Sequence, residues 1–472
     1  MDDDKTQENS FRDHIATVDN EGKRIWIYPK KPSGPYYRAR TIVSVFLLAF
    51  FFLAPFIRIH GQPLLLLNVL ERKFIIFGMA FWPQDFHLFV LLSLTLVVFI
   101  VLFTAAFGRL WCGWTCPQTI FMEMVFRKIE YFIEGDASQQ RRLNAAPMST
   151  NKFFKKTLKH GIFYALSFLI GNTFLAYIIG VDQLKTIVTD PPGQHLGGLI
   201  AMIVFSAVFY GVFAFFREQV CTMVCPYGRL QGVMLDPNSI VVAYDFKRGE
   251  PRGKVSKKNN SSQLGDCVDC RLCVSVCPTG IDIRNGTQLE CINCTACIDA
   301  CNSIMTKLKR PKGLIRYASY NSIVTGQPFR LTPRIIGYSA VLITLVAVLS
   351  ILMLTRKPIE VSILRTPGVL YQETEDGMIS NLYNLKIVNK TFEDKEISLK
   401  LVSPRGTIEM VGGGLHVPRG DVGQTAFFVK LPEDKIQYLN TPVRIQVYVD
   451  DKLLQQQQTS FLGPGTGKKT EK

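Results

Sequence analysis

Cys267-Val268-Asp269-Cys270-Arg271-Leu272-Cys273-Val274-Ser275-Val276-Cys277 is repeated, 24 residues after its start, as Cys291-Ile292-Asn293-Cys294-Thr295-Ala296-Cys297-Ile298-Asp299-Ala300-Cys301. Both runs are C-x2-C-x2-C-x3-C. Three thiolates at this spacing fold around three corners of one four-iron cubane, and a helical turn carries the fourth to the neighbouring cluster. The pattern predicts two [4Fe–4S] clusters, one on Cys267, Cys270, Cys273 and Cys301, the other on Cys291, Cys294, Cys297 and Cys277. Zinc is the alternative, but tetrahedral zinc sites pair two C-x2-C knuckles and do not use a four-cysteine run twice. The chemistry implied is one-electron transfer, with the potential tuned by burial and by hydrogen bonds to sulfur.

Outward from these runs, the chain is a membrane protein. All 12 cysteines lie between Cys112 and Cys301, and none in the last 171 residues, which is unlike a disulfide framework. Five stretches are long and apolar enough to span a bilayer: Thr41–Ile57, Leu88–Phe107, Gly161–Val181, Leu196–Phe216 and Ile335–Thr355. A weaker apolar stretch, Leu64–Trp82, is broken by Glu71, Arg72 and Lys73 and reads as interfacial or re-entrant. The net charge of +16 is distributed by side rather than gathered for nucleic acid. Segments 1–40, 109–160 and 217–334 carry 34 Lys and Arg, against 4 in 57–86 and 182–195. The basic side faces the cytoplasm in a bacterial inner membrane, so the expected topology places the N-terminus and the cysteine runs inside and everything after Arg356 outside. The acidic start MDDDKTQENS gives no expectation of a cleavable signal peptide.

These signals divide the chain into a cytoplasmic tail (1–40), a four-helix membrane domain (41–235), a two-cluster insert (236–334), a fifth helix (335–355), an outer β domain (357–462) and a disordered tail (463–472). The outer segment mixes apolar and polar residues in runs such as Leu382–Val388, Ile397–Val402, Thr425–Leu431 and Val443–Val449, separated by turns. About seven short strands in an antiparallel sandwich are expected.

The four remaining cysteines form a duplicated motif. Trp111-Cys112-Gly113-Trp114-Thr115-Cys116-Pro117 follows the second span, and Cys221-Thr222-Met223-Val224-Cys225-Pro226 follows the fourth. Two helix pairs, each ending in C-x3-C-P on one side of the membrane, imply a parallel internal repeat, with a fifth helix packed beside the four. Each proline is placed to open a helix. Proximity to Arg109 or Arg217 predicts lowered thiol pKa values. Pseudo-symmetry could bring Cys112, Cys116, Cys221 and Cys225 together as a thiol redox pair or a Cu(I) site, with Met122, Met124 and Met223 as nearby thioethers. Packing at helix ends is the plainer alternative. His60, His87 and His195 fall near the outer face and could bind copper there, although solvated histidines suffice; His14, His160 and His416 carry no site. Basic residues around the insert (Lys254, Lys257, Lys258, Arg271, Arg284, Lys307, Lys309 and Arg310) could dock an acidic electron donor, though inside-positive charge accounts for most of them. The chain has no C-x-x-C-H for covalent haem, no Walker A sequence and no G-x-G-x-x-G after a strand.

Residues around Leu264–Met305 resemble a two-cluster bacterial ferredoxin, with Pro278 in place after the first run and Asn302 where a second proline would stand. The order of parts as a whole resembles the cytochrome c oxidase accessory protein family, CcoG, also called FixG or RdxA. The paired C-x3-C-P helices alone also resemble NapH- and NosR-type membrane subunits, which lack the outer β domain. The family resemblance implies that this domain is immunoglobulin-like. It also implies a role in assembling cbb3-type cytochrome oxidase by reducing Cu(II) to Cu(I) for copper chaperones or oxidase subunits. The readings that compete with it are a quinol-linked electron relay and a redox-sensing scaffold.

Overall fold

The computed structural model describes residues 17–464 except 20, 60, 70–72, 78, 82–84, 254–263, 328–330, 369, 375 and 437. The expectations for His14, His60, Lys254, Lys257, Lys258 and most of the tail 463–472 fall outside the described residues. The chain forms two compact units, one running to Pro55 and resuming over His87–Ser350, the other comprising Phe56–Phe86 and the residues from Ile351 onward.

Five helices have the length and apolar content to cross a membrane: Pro35–Phe56, Phe86–Phe107, Thr150–Ile179, Leu196–Phe216 and Pro333–Leu354. The third begins well before the expected Gly161, because its first turns carry their charge in pairs. Ser149 caps it by accepting from the Lys152 amide at 3.3 Å, and Glu134 takes Lys156 at 2.8 Å and Lys159 at 3.0 Å. The third and fourth helices approach closely at Gly171, where a Cβ would stand 3.3 Å from the Ser206 hydroxyl. Phe126 stacks on Phe213 at 4.5 Å and meets Phe163 edge-on at 4.8 Å, filling the core beneath the C-x3-C-P motifs. The fifth helix is more peripheral than expected: Ile335 is its only buried residue, and Val341, Ile343 and Ile351 are left for lipid.

The insert between the fourth and fifth helices closes with Val241–Tyr244 paired antiparallel to Ile315–Ala318. Its core is Val242, Tyr244, Ile281, Ile283, Ile298, Met305, Leu314 and Ile315. Residues 17–34, expected as part of a tail, are instead a packed strap. The Lys30 amide donates to the Ser275 carbonyl at 2.7 Å, Tyr131 donates to the Pro29 carbonyl at 3.1 Å, and Asn144 donates to the Tyr28 hydroxyl at 2.7 Å.

The second unit is a β-sandwich. One sheet orders the strands Thr407–Met410, Val422–Pro432, Met378–Asn389 and Ile359–Arg365, with the short Gln372–Glu373 also pairing on Met378–Asn389; the other orders Leu415–Val417, Lys395–Ser403, Asn440–Val449 and Lys452–Leu462. All pairings are antiparallel. Alternation drives Val443, Ile445 and Val447 into the core, where they meet Phe427, Val429 and Phe461. Two strands go beyond the expected seven because their runs are atypical: Lys452–Leu462 is rich in glutamine, and Gln372–Glu373 has two residues.

The described residues of the Leu64–Trp82 stretch form strands. Leu65–Asn68, Lys73–Ile76 and Met79–Phe81 form a three-stranded antiparallel sheet, preceded by a small hairpin at Arg58–Ile59 and Gln62–Pro63. Leu66 and Ile75 form its small core, while Leu67 and Met79 stay exposed. Gln62 donates to the Arg419 carbonyl at 3.3 Å. At the end of this segment Asp85 is buried, taking Arg356 at 2.6 Å and Lys390 at 2.6 Å, and Lys390 also reaches Glu360 at 2.6 Å.

Burial alone would raise the Asp85 carboxyl, but hydrogen bonds and charge from Arg356 and Lys390 hold it below the ordinary carboxylate range. A depressed carboxylate stabilises the fold above its unfolded pKa of ~3.9, and that contribution is lost as pH falls through the folded value. Asp85→Asn removes a carboxylate from two buried cations, at an expected cost of about 3–5 kcal/mol to the sandwich unit at neutral pH. Calorimetry of the full chain should show this loss, together with a flatter acid limb in the variant. Identical acid limbs would refute the role given to Asp85.

Candidate metal centres

Each cysteine run is shaped by two residues in the left-handed region around its middle cysteine. They are Asp269 (φ 49°) and Arg271 (φ 52°) about Cys270, and Asn293 (φ 53°) and Thr295 (φ 65°) about Cys294. Asp and Asn tolerate this conformation; Arg and the β-branched Thr hold it at a cost, as happens where surroundings over-determine a functional loop. The curled loops then enter the helices Leu272–Ser275 and Ala296–Lys307.

The result is two apolar-walled cavities. Cys267, Cys270, Cys273 and Cys301 line the first, with Tyr244, Arg284 and Ile315. Cys277, Cys291, Cys294 and Cys297 line the second, with Val242, Ile281 and Ile283. The crosswise exchange is visible here: Cys301 from the second run stands in the first cavity and Cys277 from the first run in the second, while Cys273 borders both. Among the described residues no three Cys, His, Asp or Glu side chains converge closely enough to hold one metal ion. The thiols ring a void rather than meet at a point. This fits a polynuclear cluster and disfavours zinc.

Burial pushes the Cys273, Cys291 and Cys301 thiols up to about 12 and Cys294 to about 11, so they need a metal's charge to ionise. For Cys277 burial dominates as well, but the Thr279 hydroxyl at 3.4 Å and the amides of Thr279, Gly280 and Ile281 favour its thiolate. Arg284, considered above for donor docking, is buried and holds Asp269 and Asp282, both at 2.5 Å.

The second ring sits against the first C-x3-C-P motif. A Cβ on Gly113 would stand 2.4 Å from the Ile292 carbonyl oxygen and 2.9 Å from the Asn293 backbone, so backbone touches backbone where any side chain would intrude. Trp114 donates to the Tyr317 hydroxyl at 3.0 Å, which donates to the Asn293 carbonyl at 3.3 Å. Cys116 and Cys225 are the N-caps of the helices opened by Pro117 and Pro226. A third small cavity brings Cys221 and Met122 together with Pro278, Thr279 and Ile292 of the insert. Cys116, Cys112 and Cys225 all lie near enough to Cys221 to oppose its ionisation, so the structure gathers the two pairs into one neighbourhood. Met124 instead faces the Thr41 hydroxyl at 3.8 Å, and Met223 is exposed. Of the histidines expected near the outer face, and among the described residues, His195 pairs with Asp190 at 3.1 Å and His87 belongs to no metal-holding group.

The expectation of lowered thiol pKa values is overturned for Cys112 and Cys221. Burial raises Cys112 despite Arg109, and pushes Cys221 up to about 12. Arg109 is engaged by Gln231 at 2.9 Å and by the Leu289 carbonyl, and Gln231 also accepts from Cys112 at 3.1 Å. Arg217 is taken by Glu130 in a bidentate pair at 3.0 and 2.7 Å. That pair belongs to a buried network reaching Lys159, Glu134, Glu218, Arg127 and Arg24. Sequence reasoning passed over this network. The acidic and basic stripe Glu123, Arg127, Glu130 and Glu134, at helical spacing on a cysteine-linked helix, is the signal that could have revealed it.

Comparison with known proteins agrees with this layout. A 4Fe-4S dicluster domain model matches residues 216–320, a 4Fe-4S binding domain model matches 89–133, and the Ig-like fold at the C-terminal of FixG matches 349–464. The nitrogen fixation protein FixG of Rhizobium meliloti is 35% identical over 433 residues, 83% of this chain and 82% of its own. The chain belongs to the FixG/RdxA family. Protein RdxA of Cereibacter sphaeroides is 32% identical over 91% of this chain and 94% of its own, and RdxB of the same organism is 33% identical over 81% and 83%. This FixG-family protein is accordingly a membrane iron–sulfur electron-transfer protein with an Ig-like C-terminal domain.

Gly113→Val tests the seating of the second ring. Overpacking costs ~1–3 kcal/mol, so amide exchange across residues 289–297 should rise about tenfold or more. Strands of the sandwich, such as 443–449, should exchange as before. Unchanged exchange at 289–297 would refute the backbone contact.

Proposed function

We propose that this protein is a cupric reductase that supplies Cu(I) during assembly of a cbb3-type cytochrome oxidase. The ferredoxin insert and the basic loops face the cytoplasm, where an acidic donor delivers electrons, and the Ig-like domain faces the periplasm. The observation that carries this reading is the junction of Cys221 and Met122 with Thr279 and Ile292, which sets soft sulfur donors directly beside the second cysteine ring.

Cys267, Cys270, Cys273 and Cys301 hold one cluster, and Cys291, Cys294, Cys297 and Cys277 the other. When bound, the clusters supply one-electron storage. The chain's own residues do the rest. Apolar walls shield the second ring from water, the amides of residues 279–281 support the Cys277 thiolate, and Gly113 lets the second ring approach the membrane thiols. Cu(II) is the substrate and takes up one electron. The Cu(I) formed prefers thiolate and thioether, which Cys112, Cys116, Cys221, Cys225 and Met122 offer. Burial keeps Cys112 and Cys221 protonated until a soft cation displaces the proton. A similarly soft chaperone or oxidase subunit can then take the ion.

Anaerobic protein, chemically reduced and freed of reductant, should form about one Cu(I) per electron lost from the iron–sulfur absorbance when Cu(II) is added. Persistent Cu(II) beside reduced protein would sink the proposal. Reduction by a quinol, with no transfer to copper, would favour an electron relay instead. Replacing Cys112, Cys116, Cys221 and Cys225 together by serine should leave the iron content intact and slow copper reduction on the order of tenfold or more.

The ligand assignment has its own check. Cys301→Ser and Cys277→Ser should each lose about half of the iron, and low-temperature electron paramagnetic resonance of the two reduced variants should show different surviving signals. Identical residual spectra would refute the crosswise assignment.

A further inference from the structure

Beside the start of the first membrane helix lies an open cleft of about 790 Å³, a volume within the ~300–1,000 Å³ typical of ligand sites. Lys31, Arg38 and Lys128 line it together with Tyr37, Thr41 and Tyr131, and Ile42 and Phe132 form its apolar lip. Three cations line the cleft and no carboxylate does. The same unit treats its most buried cations differently: Arg217, Arg127 and Lys159 each meet a glutamate. Among the described residues Lys128 meets the Thr41 hydroxyl at 3.5 Å and the Tyr37 ring at 5.7 Å, and no carboxylate. Asp136, the nearby acid, accepts from the Lys31 backbone amide rather than its ammonium. Burial holds Lys128 below the ordinary lysine range, and the charges of Arg40 and Lys31 hold it lower still, so an anion bound in the cleft would relieve it.

The lip says what kind of anion. Ile42 is 70% exposed and Phe132 92%, and the apolar surface continues along the same helix through Val45 and Phe46. A cationic pocket opening onto an apolar helix face, at the level where that helix enters the membrane, matches an amphiphile with an anionic head. A quinone has a neutral head and would leave three cations uncompensated.

We propose that this cleft binds one anionic phospholipid, its phosphate held among Lys31, Arg38 and Lys128 and its acyl chains laid along Ile42, Val45 and Phe46. The binding is independent of copper chemistry. It fixes the first membrane helix, and with it the strap at Lys31, to the lipid surface.

The test uses the full-length protein in detergent with four probes: phosphatidylglycerol, phosphatidylcholine, inorganic phosphate and a short-chain quinone. Native mass spectrometry should show one tightly retained phosphatidylglycerol per chain and no comparable phosphatidylcholine. The variant K31Q/R38Q/K128Q should bind phosphatidylglycerol on the order of 100-fold more weakly, at roughly fivefold per charge, with its iron content unchanged. Should that variant lose iron, Arg38→Gln alone, at an exposed position, should still weaken binding about fivefold. Equal retention of phosphatidylcholine, unaltered affinity in the variants, or displacement by millimolar inorganic phosphate would each overturn the proposal. So would displacement of the lipid by a short-chain quinone.

Discussion

The arrangement of the first unit depends on one steric constraint: the backbone of Ile292 and Asn293 rests on Gly113, where there is room for no side chain. The contact lies between two cysteines of the membrane motif and within the second cysteine run of the insert. Arg40 braces it by donating to the Gly113 carbonyl at 2.6 Å. Asp299, on the helix that carries Cys297 and Cys301, accepts from the Tyr36 and Tyr37 amides at 3.3 and 2.8 Å and so caps the first membrane helix. A carboxylate there also meets the positive end of the helix dipole. One short stretch of insert therefore forms the wall of a metal cavity, the seat on the membrane motif and the cap of a transmembrane helix.

Around this seat the chain buries charge in quantity. Removing one member of such a network leaves an uncompensated partner, so the network favours one arrangement of the helices that carry it. Its members come from the strap (Arg24), the segment after the first C-x3-C-P (Glu123, Arg127, Glu130 and Glu134), the third helix (Lys156 and Lys159) and the end of the fourth (Arg217 and Glu218). A fixed geometry between the second ring and the thiols is what the proposed transfer to copper requires. Burial outweighs the pull of Arg109 on both Cys112 and Cys221, and Arg217 is taken up by Glu130.

Much of this was legible in the residues, for physical reasons that vary by element. The cysteine runs were readable because cluster geometry dictates spacing directly, and hydropathy disclosed the five spans because a bilayer demands length. Helix starts were harder. Lys156 and Lys159 look like a boundary until Glu134, far off in sequence, is seen to neutralise them. The strap was invisible because residues 17–34 have no periodicity of their own and are ordered only by distant partners such as Ser275 and Glu218. The strands within Leu64–Trp82 were not legible because a short run that is apolar on both faces has no signature separating sheet from interface. The gathering of the four membrane thiols followed from the duplication, but their burial, and hence their raised pKa, needed three dimensions.

The strap also bears on the order of synthesis. Lys30 leaves the ribosome 245 residues before Ser275, its hydrogen-bond partner. At ~5–20 residues per second this is a wait on the order of 10–50 s, during which the first four membrane helices are made. The strap can therefore close only late, after the insert has emerged and folded. It acts as the last stitch in a structure whose first thread it was.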